Sequence, residues 1–444
     1  MLVLAACGGT PAAPAAPTSA PAAAEPTAAA PAAAEPTAAA PAAAEPTAAP
    51  AAAEPTAEPT AAPAAAAPTA EPQPISAGPL KEVPRSQTLV LGHGVSPNIG
   101  VTNPWAVPGY THQEGNAFMW EPLAYFGIFA DKEIPWLAES MTYTKDDFTE
   151  LTIKLRQGAE WSDGTPITAK DVIYTFEGQQ SNEKLSYHAQ FDQYVQESKA
   201  VDDQTVVGTF KIPAPRFAFE VLTLKFDTGI PIAPEHWLSK QADVNSAIGG
   251  LDIPHSGPYD LVSWDKTQKI FDLRPTWWAI KTGLHPEPGV KRVIVANITG
   301  TDMSVVAQRV VNDEFDATLD MRSAVIGNIL AQNPKVTSHT GSESPYGYLD
   351  WWPNSLWMNT QIEPYNDVRV RKAINRAIDR DTIDEIIYEG AKISTVFPFP
   401  LYPGLQAFAD KPEVKALEEK YQPRKFDLAE SEQLMTEAGF TKNG

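Results

Sequence analysis

Side-chain catalysis needs a nucleophile, a base or a metal ligand in the right company, and this chain supplies little of that. Its seven histidines, His93, His112, His188, His236, His255, His285 and His339, show neither HxxxH nor HExxH spacing. A single cysteine, Cys7, leaves no partner for a disulfide or a thiolate zinc site. No GxSxG elbow occurs, the GHGVSP stretch at 92–97 lacks the third glycine of a dinucleotide loop, and no phosphate-binding GxxxxGK is present. No enzyme activity, cofactor or metal is therefore expected. Recognition chemistry is better supplied. The chain carries 11 tryptophans, and aromatic planes with amides suit peptides and sugars, by stacking and by hydrogen bonding. Trp351 and Trp352 are adjacent; on a strand they face opposite ways, so one can line a cleft while the other packs.

The 444 residues carry a formal charge of −21. That argues against a nucleic-acid partner, since phosphate contacts need clustered Lys and Arg. VLAAC followed by Gly8 has the pattern of a bacterial lipoprotein signal, with Cys7 as the acyl acceptor. Such a signal also needs a basic region and an apolar run of about 7–15 residues. Only MLVLAA precedes Cys7, so residues 1–7 are expected to be the end of a longer signal. No later stretch approaches the roughly 18 apolar residues of a membrane span.

Between Gly8 and Pro84 the composition is Ala, Pro, Glu and Thr, and PAAAEPTAAA occurs at 21–30 and again at 31–40. Proline every few residues removes helix donors, and the ten-residue repeat has no large apolar residue to build a core. This segment reads as an extended tether of polyproline character. Past Arg85 the large apolar residues begin. SQTLVLGHG (86–94) reads as a first strand and LTIKLRQG (151–158) as a half-buried one, with Leu151, Ile153 and Leu155 on the inner face. TVVGTFKI (205–212) and VKRVIVANI (290–298) are further strands, the last one more buried.

EWSDGTPITAKDVIYTFE (160–177) reads as a connector from strand to helix. Asp163-Gly164 turns the chain, Thr168 caps a helix with Asp171 completing a capping box, and Val172, Ile173 and Phe176 point inward. In NDVRVRKAINRAIDRDTIDEIIYEG, Val370, Ala373, Ile374, Ala377 and Ile378 form an apolar stripe. Asn366 is the expected cap, Asp381 with Asp384 a second cap, and Gly390 the stop. Interleaved strands and helices indicate an α/β architecture.

PWLAESMTYTKDDFTELTIKLRQGAEWSDGTPITAKDVIYTFE (135–177) resembles the best-known segment of the family 5 extracellular solute-binding proteins, the dipeptide/oligopeptide-binding type that serves ATP-binding-cassette importers. SGPYDLVSWD (256–265), the stretch from Val290 to Asp320 ending NDEFDATLD, LWMNTQIEPYNDVRVRKAINRAIDRDTI (356–383) and KFDLAESEQLMTEAGF (425–440) resemble further elements, in the family's order. RPTWWAI (274–280) departs from the family's usual Asn-x-x-Tyr-Trp, and DATLD from its Gly-Asp/Glu-Ile-Asp.

The resemblance implies a two-lobed periplasmic-binding-protein-like fold (type II, cluster C) with an extra subdomain at about 116–225. The first lobe would take 85–320. The second, 321–444, is expected to be incomplete, because family members continue beyond the Ala-Gly helix. In the family the loop after the first strand faces the ligand cleft. That makes Asn103, Trp105 and Tyr110 of NPWAVPGY ligand-binding candidates beside Trp351 and Trp352. The implied role is capture of a small solute, preferably a peptide, and delivery to permease subunits. The protein would be a monomer anchored by lipid to the outer face of the cytoplasmic membrane. An oligosaccharide or a nickel complex remains open as the solute. A surface-anchored hydrolase acting on saccharide or cell-wall substrates is the rival class; it fits the tryptophans and the tether but not the ordered matches.

Overall fold

The computed structural model describes residues 73–106, 114–225, 228–319, 321–346 and 354–441. The first strands are β1 (Ile75–Ser76), β2 (Thr88–His93), β3 (Ala124–Gly127), β4 (Lys132–Pro135), β5 (Ala138–Tyr143) and β6 (Glu150–Leu155). β7 (Val195–Asp202), β8 (Thr205–Phe210), β9 (Thr223–Leu224), β10 (Tyr259–Trp264), β11 (Gln268–Leu273), β12 (Arg292–Asn297) and β13 (Ala317–Thr318) follow. The helices that matter below begin with α1 (Ala169–Ser181), α2 (His188–Tyr194), α3 (Glu235–Leu238), α4 (Trp278–Lys281), α5 (Met303–Val311) and α6 (Ser323–Gln332). They continue with α7 (Val368–Arg376), α8 (Arg380–Ile387), α9 (Pro403–Ala409), α10 (Pro412–Tyr421) and α11 (Leu428–Glu437).

Three sheets form. The largest has the order β1-β10-β11-β12-β2-β13. Its edge strand β1 corrects the tether expected at 8–84: Ile75 and Ser76 pair with Trp264 and Ser263, and Ile75 packs on the core, so the last part of that stretch belongs to the folded body. The sheet's first three pairings are antiparallel, and β2 lies parallel between β12 and β13. The others are β4-β3-β9 and β5-β6-β8-β7. Alternation in β6 falls as expected, with Leu151, Ile153 and Leu155 buried and Lys154 outward. In β12 the burial is nearly continuous. Arg292, which opens that strand, is buried too, and it stands opposite Asp272 of β11. Its Nε and Nη2 donate to the two carboxylate oxygens at 2.6 and 2.8 Å, the bidentate geometry that makes such a pair tolerable indoors.

The expected subdomain range, 116–225, carries the two smaller sheets, and its core runs unbroken into that of the large sheet. Leu123, Ile153, Phe191 and Trp161 share one buried cluster with Phe271, Val293 and Trp264. A second cluster joins β12 and α5 to α6: Ala296, Val306, Val310 and Phe315 pack with Ile329, and Met321, Val325 and Val336 close around them. The boundary expected at 320 falls inside this cluster, because α6 turns its apolar side onto α5. Beyond Val336 the chain builds a separate helical body. There α7 packs on α11, Arg376 is buried, and its guanidinium donates to Glu430 and to the carbonyls of Gln422 and Tyr421. In the expected stripe Val370 and Ala373 are buried, but Ala377 is exposed, because the helix ends there.

The caps shift slightly from expectation. Asp367, not Asn366, accepts from Arg369 N–H, and Asp379, not Asp381, accepts from Thr382 N–H. In each case the residue whose backbone is still extended can aim its side chain back at the first turn. Gly390, at φ +69°, closes α8 as expected.

The connector at 160–177 has the predicted anatomy. Thr168 and Asp171 form the reciprocal capping box of α1. Asp171 does more: one oxygen accepts from Thr168 N–H at 2.9 Å and the other from Glu235 N–H at 3.1 Å, tying α1 to the start of α3. Asp171→Ala leaves both donors without an acceptor and is expected to cost about 2–3 kcal/mol in urea unfolding. Asp171→Asn, which keeps one acceptor oxygen, is expected to cost less.

Candidate ligand-binding site

In an open sheet, ligands bind outside the carboxyl ends of parallel strands, where connections diverge. Here that edge belongs to β12, β2 and β13. β2 runs out through His93 and Gly94 to Ser96, and the loop after β12 is pinned to it by Ile298 N–H donating to His93 O at 2.9 Å. The two loops run close: a Cβ on Gly94 would stand 3.4 Å from Thr299 Oγ1. Within β2, a Cβ on Gly92 would meet the Phe315 ring and Thr318 Oγ1 at 3.1–3.2 Å. The Thr318 hydroxyl is buried and has no hydrogen-bond partner among the described residues.

A buried ion pair underlies this edge. Glu114, which follows the undescribed 107–113 stretch, accepts from Ser96 N–H and from Lys269 Nζ, the latter at 3.2 Å. Lys269, the second residue of β11, is fully buried and stands 3.8 Å above the Trp264 ring. Burial pushes its ammonium down to about 8, with Glu114 opposing. The pair fixes both ends of the loop over the edge. Asn297, which ends β12, donates its amide to Lys266 O and accepts from Thr299 N–H, shaping the turn at this edge.

Asn103 and Trp105 are elsewhere occupied. Asn103 is fully buried, its amide donates to the carbonyls of Val244 and Ala247 at 2.9 and 2.8 Å, and its oxygen accepts from Trp105 N–H. Trp105 is buried as well, stacked on Tyr174 at 5.2 Å and lying across Gly178, where a Cβ would stand 2.2 Å from the indole. Both side chains anchor the start of the loop to α1 and to 244–247. Tyr110, Trp351, Trp352 and Cys7 lie outside the described residues.

One polar centre went unpredicted. Glu121, 2% exposed, accepts three indole N–H bonds: from Trp136 at 2.8 Å and Trp277 at 3.1 Å on Oε1, and from Trp278 at 2.7 Å on Oε2. Desolvation pushes its carboxyl up to about 7, against the three hydrogen bonds and the field of Arg274. A signal was present in the sequence: an acidic residue inside the apolar run FMWEPLAYF has to be buried with donors, and TWW supplies two.

A mixed α/β body with a polar, loop-covered edge at the ends of its parallel strands is the plan of a periplasmic binding protein. Solved structures share it. The oligopeptide-binding protein of Thermotoga maritima with bound mannohexaose superposes at a TM-score of 0.64 and 24% identity, over 82% of this chain and 64% of that one. NikZ of Campylobacter jejuni in complex with Ni(L-His) gives 0.60 at 21% identity, over 81% and 64%. Residues 132–444 match the model of the bacterial extracellular solute-binding proteins, family 5 Middle, and the chain belongs to that family. Protein XP55 of Streptomyces lividans is 30% identical over 309 residues, 69% of this chain and 50% of its own length. The periplasmic oligopeptide-binding protein OppA of Salmonella typhimurium is 25% identical over 373 residues, 80% and 63%. The chain thus spans between half and two-thirds of these relatives. Among the described residues no helix is long and apolar enough to cross a membrane.

The sign of the Glu121 effect follows from its pKa. A carboxyl raised from 4.5 to about 7 in the folded state binds its proton more readily than when unfolded. Its contribution to stability therefore grows as pH falls through 7 and is complete near 4.5. Denaturant melts of the wild type and of Glu121→Gln should diverge between pH 8 and pH 5 by up to about 3 kcal/mol, the wild type gaining, since only it can take up the proton.

Proposed function

We propose that this chain is the solute-capturing component of an ATP-binding-cassette importer, that it holds a peptide-like solute and that it hands it to permease subunits unchanged. The observation that carries this reading is the family match through 132–444. The polar edge of the parallel strands is where the solute would sit. In this reading the solute lies between the body that runs through Val336 and the helical body after it, and closure is favoured because only the closed form lets both touch the solute. Tyr110, Trp351 and Trp352 are the side chains proposed to meet it, and Asn103 and Trp105 hold the loop that presents Tyr110. A peptide is preferred because OppA, among the relatives, is named for oligopeptides.

Cys7 is proposed to carry the lipid, with the stretch from Gly8 to about residue 72 as the tether of a monomer on the outer face of the cytoplasmic membrane. A tether of this kind keeps the binder near its permease at raised effective concentration.

The test is a thermal-shift and tryptophan-fluorescence screen against peptides, manno-oligosaccharides and nickel–histidine, with the bound solute recovered for mass spectrometry. A peptide at a hundred times its dissociation constant should add about 2.7 kcal/mol of stability and be recovered intact. Trp351→Ala or Trp352→Ala should weaken it by about tenfold, or ~1.4 kcal/mol. A panel without any shift, or a solute recovered cleaved, overturns the reading.

A further inference from the structure

The β3–β4 hairpin reaches beyond its own sheet. Past the pair Gly127↔Lys132 it makes a loop, Ile128–Asp131. Ala130 N–H donates to Gly127 O at 3.1 Å, and Asp131 closes the loop at φ +47°, a left-handed conformation that Asp tolerates better than most residues. This turn lifts Phe129 off the body that bears it, and 62% of the residue is exposed.

The ring has aromatic neighbours on the far side of Val336. It meets Tyr402 edge-on, with centroids 5.1 Å apart and planes at 84°, and leans on His339 at 5.5 Å. Beside it the Asp131 carboxylate lies over Gly404, where a Cβ would stand 2.7 Å from one of its oxygens. A bare backbone at 404 is what lets the carboxylate come that close. His339 sits in the turn bridged by Ser338 and Gly341, and Tyr402 immediately precedes α9. The hairpin tip therefore grips two separate points of the C-terminal helical body.

Little else crosses. Among the described residues no hydrogen bond or ion pair joins 73–319 to 337–441, and none of the hydrophobic clusters includes a residue beyond Val336. One hydrogen bond crosses from α6, Ala324 N–H donating to Glu389 at 2.7 Å.

We infer that the Ile128–Asp131 tip is a strap, in which Phe129 and Asp131 dock on His339, Tyr402 and Gly404 and so limit how far the C-terminal helical body swings from the subdomain. This rests on the two-body reading of solute capture given above. The strap works through aromatic faces and one close backbone approach, so it can release and re-dock without exposing a buried core.

The test is a full-length Asp131→Cys/Gly404→Cys double variant in a Cys7→Ser background. Air oxidation without denaturant should consume both thiols in a thiol titration and change mobility on a non-reducing gel. A second variant, Phe129→Ala, leaves the backbone approach in place. Glu-C cleavage at Glu343, in the crossing segment, should speed up by about two- to tenfold, the range an aromatic pair is worth, with the melting temperature unchanged. Free thiols after oxidation together with unchanged cleavage overturn the strap. Neither readout needs a solute. If both fail while peptides still shift the fluorescence, the strap falls and solute capture stands; if the disulfide forms in a chain that binds nothing, the strap stands and solute capture falls.

Discussion

The fold depends on burying one carboxylate that has no ion-pair partner in contact. Glu121 lies between sheets, where an unpaired charge is costly unless donors surround it. Those donors come from separate elements: Trp136 follows β4, and Trp277 and Trp278 follow β11 at the start of α4. Each indole has a single N–H that also needs an acceptor when buried, so acceptor and donors satisfy one another across the join of two sheets. The backbone is drawn into the same arrangement. Glu121 N–H donates to Ser256 Oγ, and Arg274 donates to the carbonyls of Ser256 and Gly257. Removing any member strands the others, which is why β3 and β4 cannot drift from the large sheet.

From this centre the constraint travels along β11. The strand starts at Gln268 and ends at Leu273, with Arg274 and the two tryptophans just beyond. At its other end Lys269 meets Glu114 under the loop of the candidate site. One strand of about 20 Å therefore carries a buried polar anchor at each end, and the Asp272–Arg292 pair locks it to β12 in between. Asn103 and Glu114, on either side of the undescribed 107–113 stretch, are each bonded to the core.

Local structure was largely legible in the sequence because local rules decide it. Alternation placed β6, and a threonine with an aspartate three residues on placed the start of α1. Where two equivalent residues are adjacent, as with Asn366 and Asp367, the type alone could not choose; the extended backbone at Asp367 did. The place of α6 relative to the boundary near 320 was not legible from sequence for a different reason. The apolar residues of α6 could face either body, and only packing on α5 decides which. Asn103 and Trp105 illustrate the limit for sites. A loop rich in amide and aromatic groups reads as recognition equipment, but a buried loop must satisfy its own backbone first, and Asn103 spends its amide doing so. Glu121 was missed because its three partners lie about 15 and 156 residues away in sequence.

A binder that must open and close needs its two bodies to be rigid within themselves and weakly joined to each other. In the proposed capture, a ligand could shift such an equilibrium only by its difference in affinity between the two forms. Rigidity is supplied inside each body by buried polar anchors, Glu121 in one and the Arg376–Glu430 contact in the other. Between the bodies the described contacts include the aromatic pair of Phe129 and Tyr402, worth about 0.5–1.5 kcal/mol, the approach of Asp131 to Gly404, and the hydrogen bond from Ala324 N–H to Glu389. Had the core of Val306 and Ile329 continued into α7, separation would have exposed buried apolar surface at roughly 25 cal/mol per Å², and no small solute could govern it. That the apolar cluster stops at Val336 fits the proposed capture, in which binding energy rather than folding energy would set the position of the C-terminal helical body.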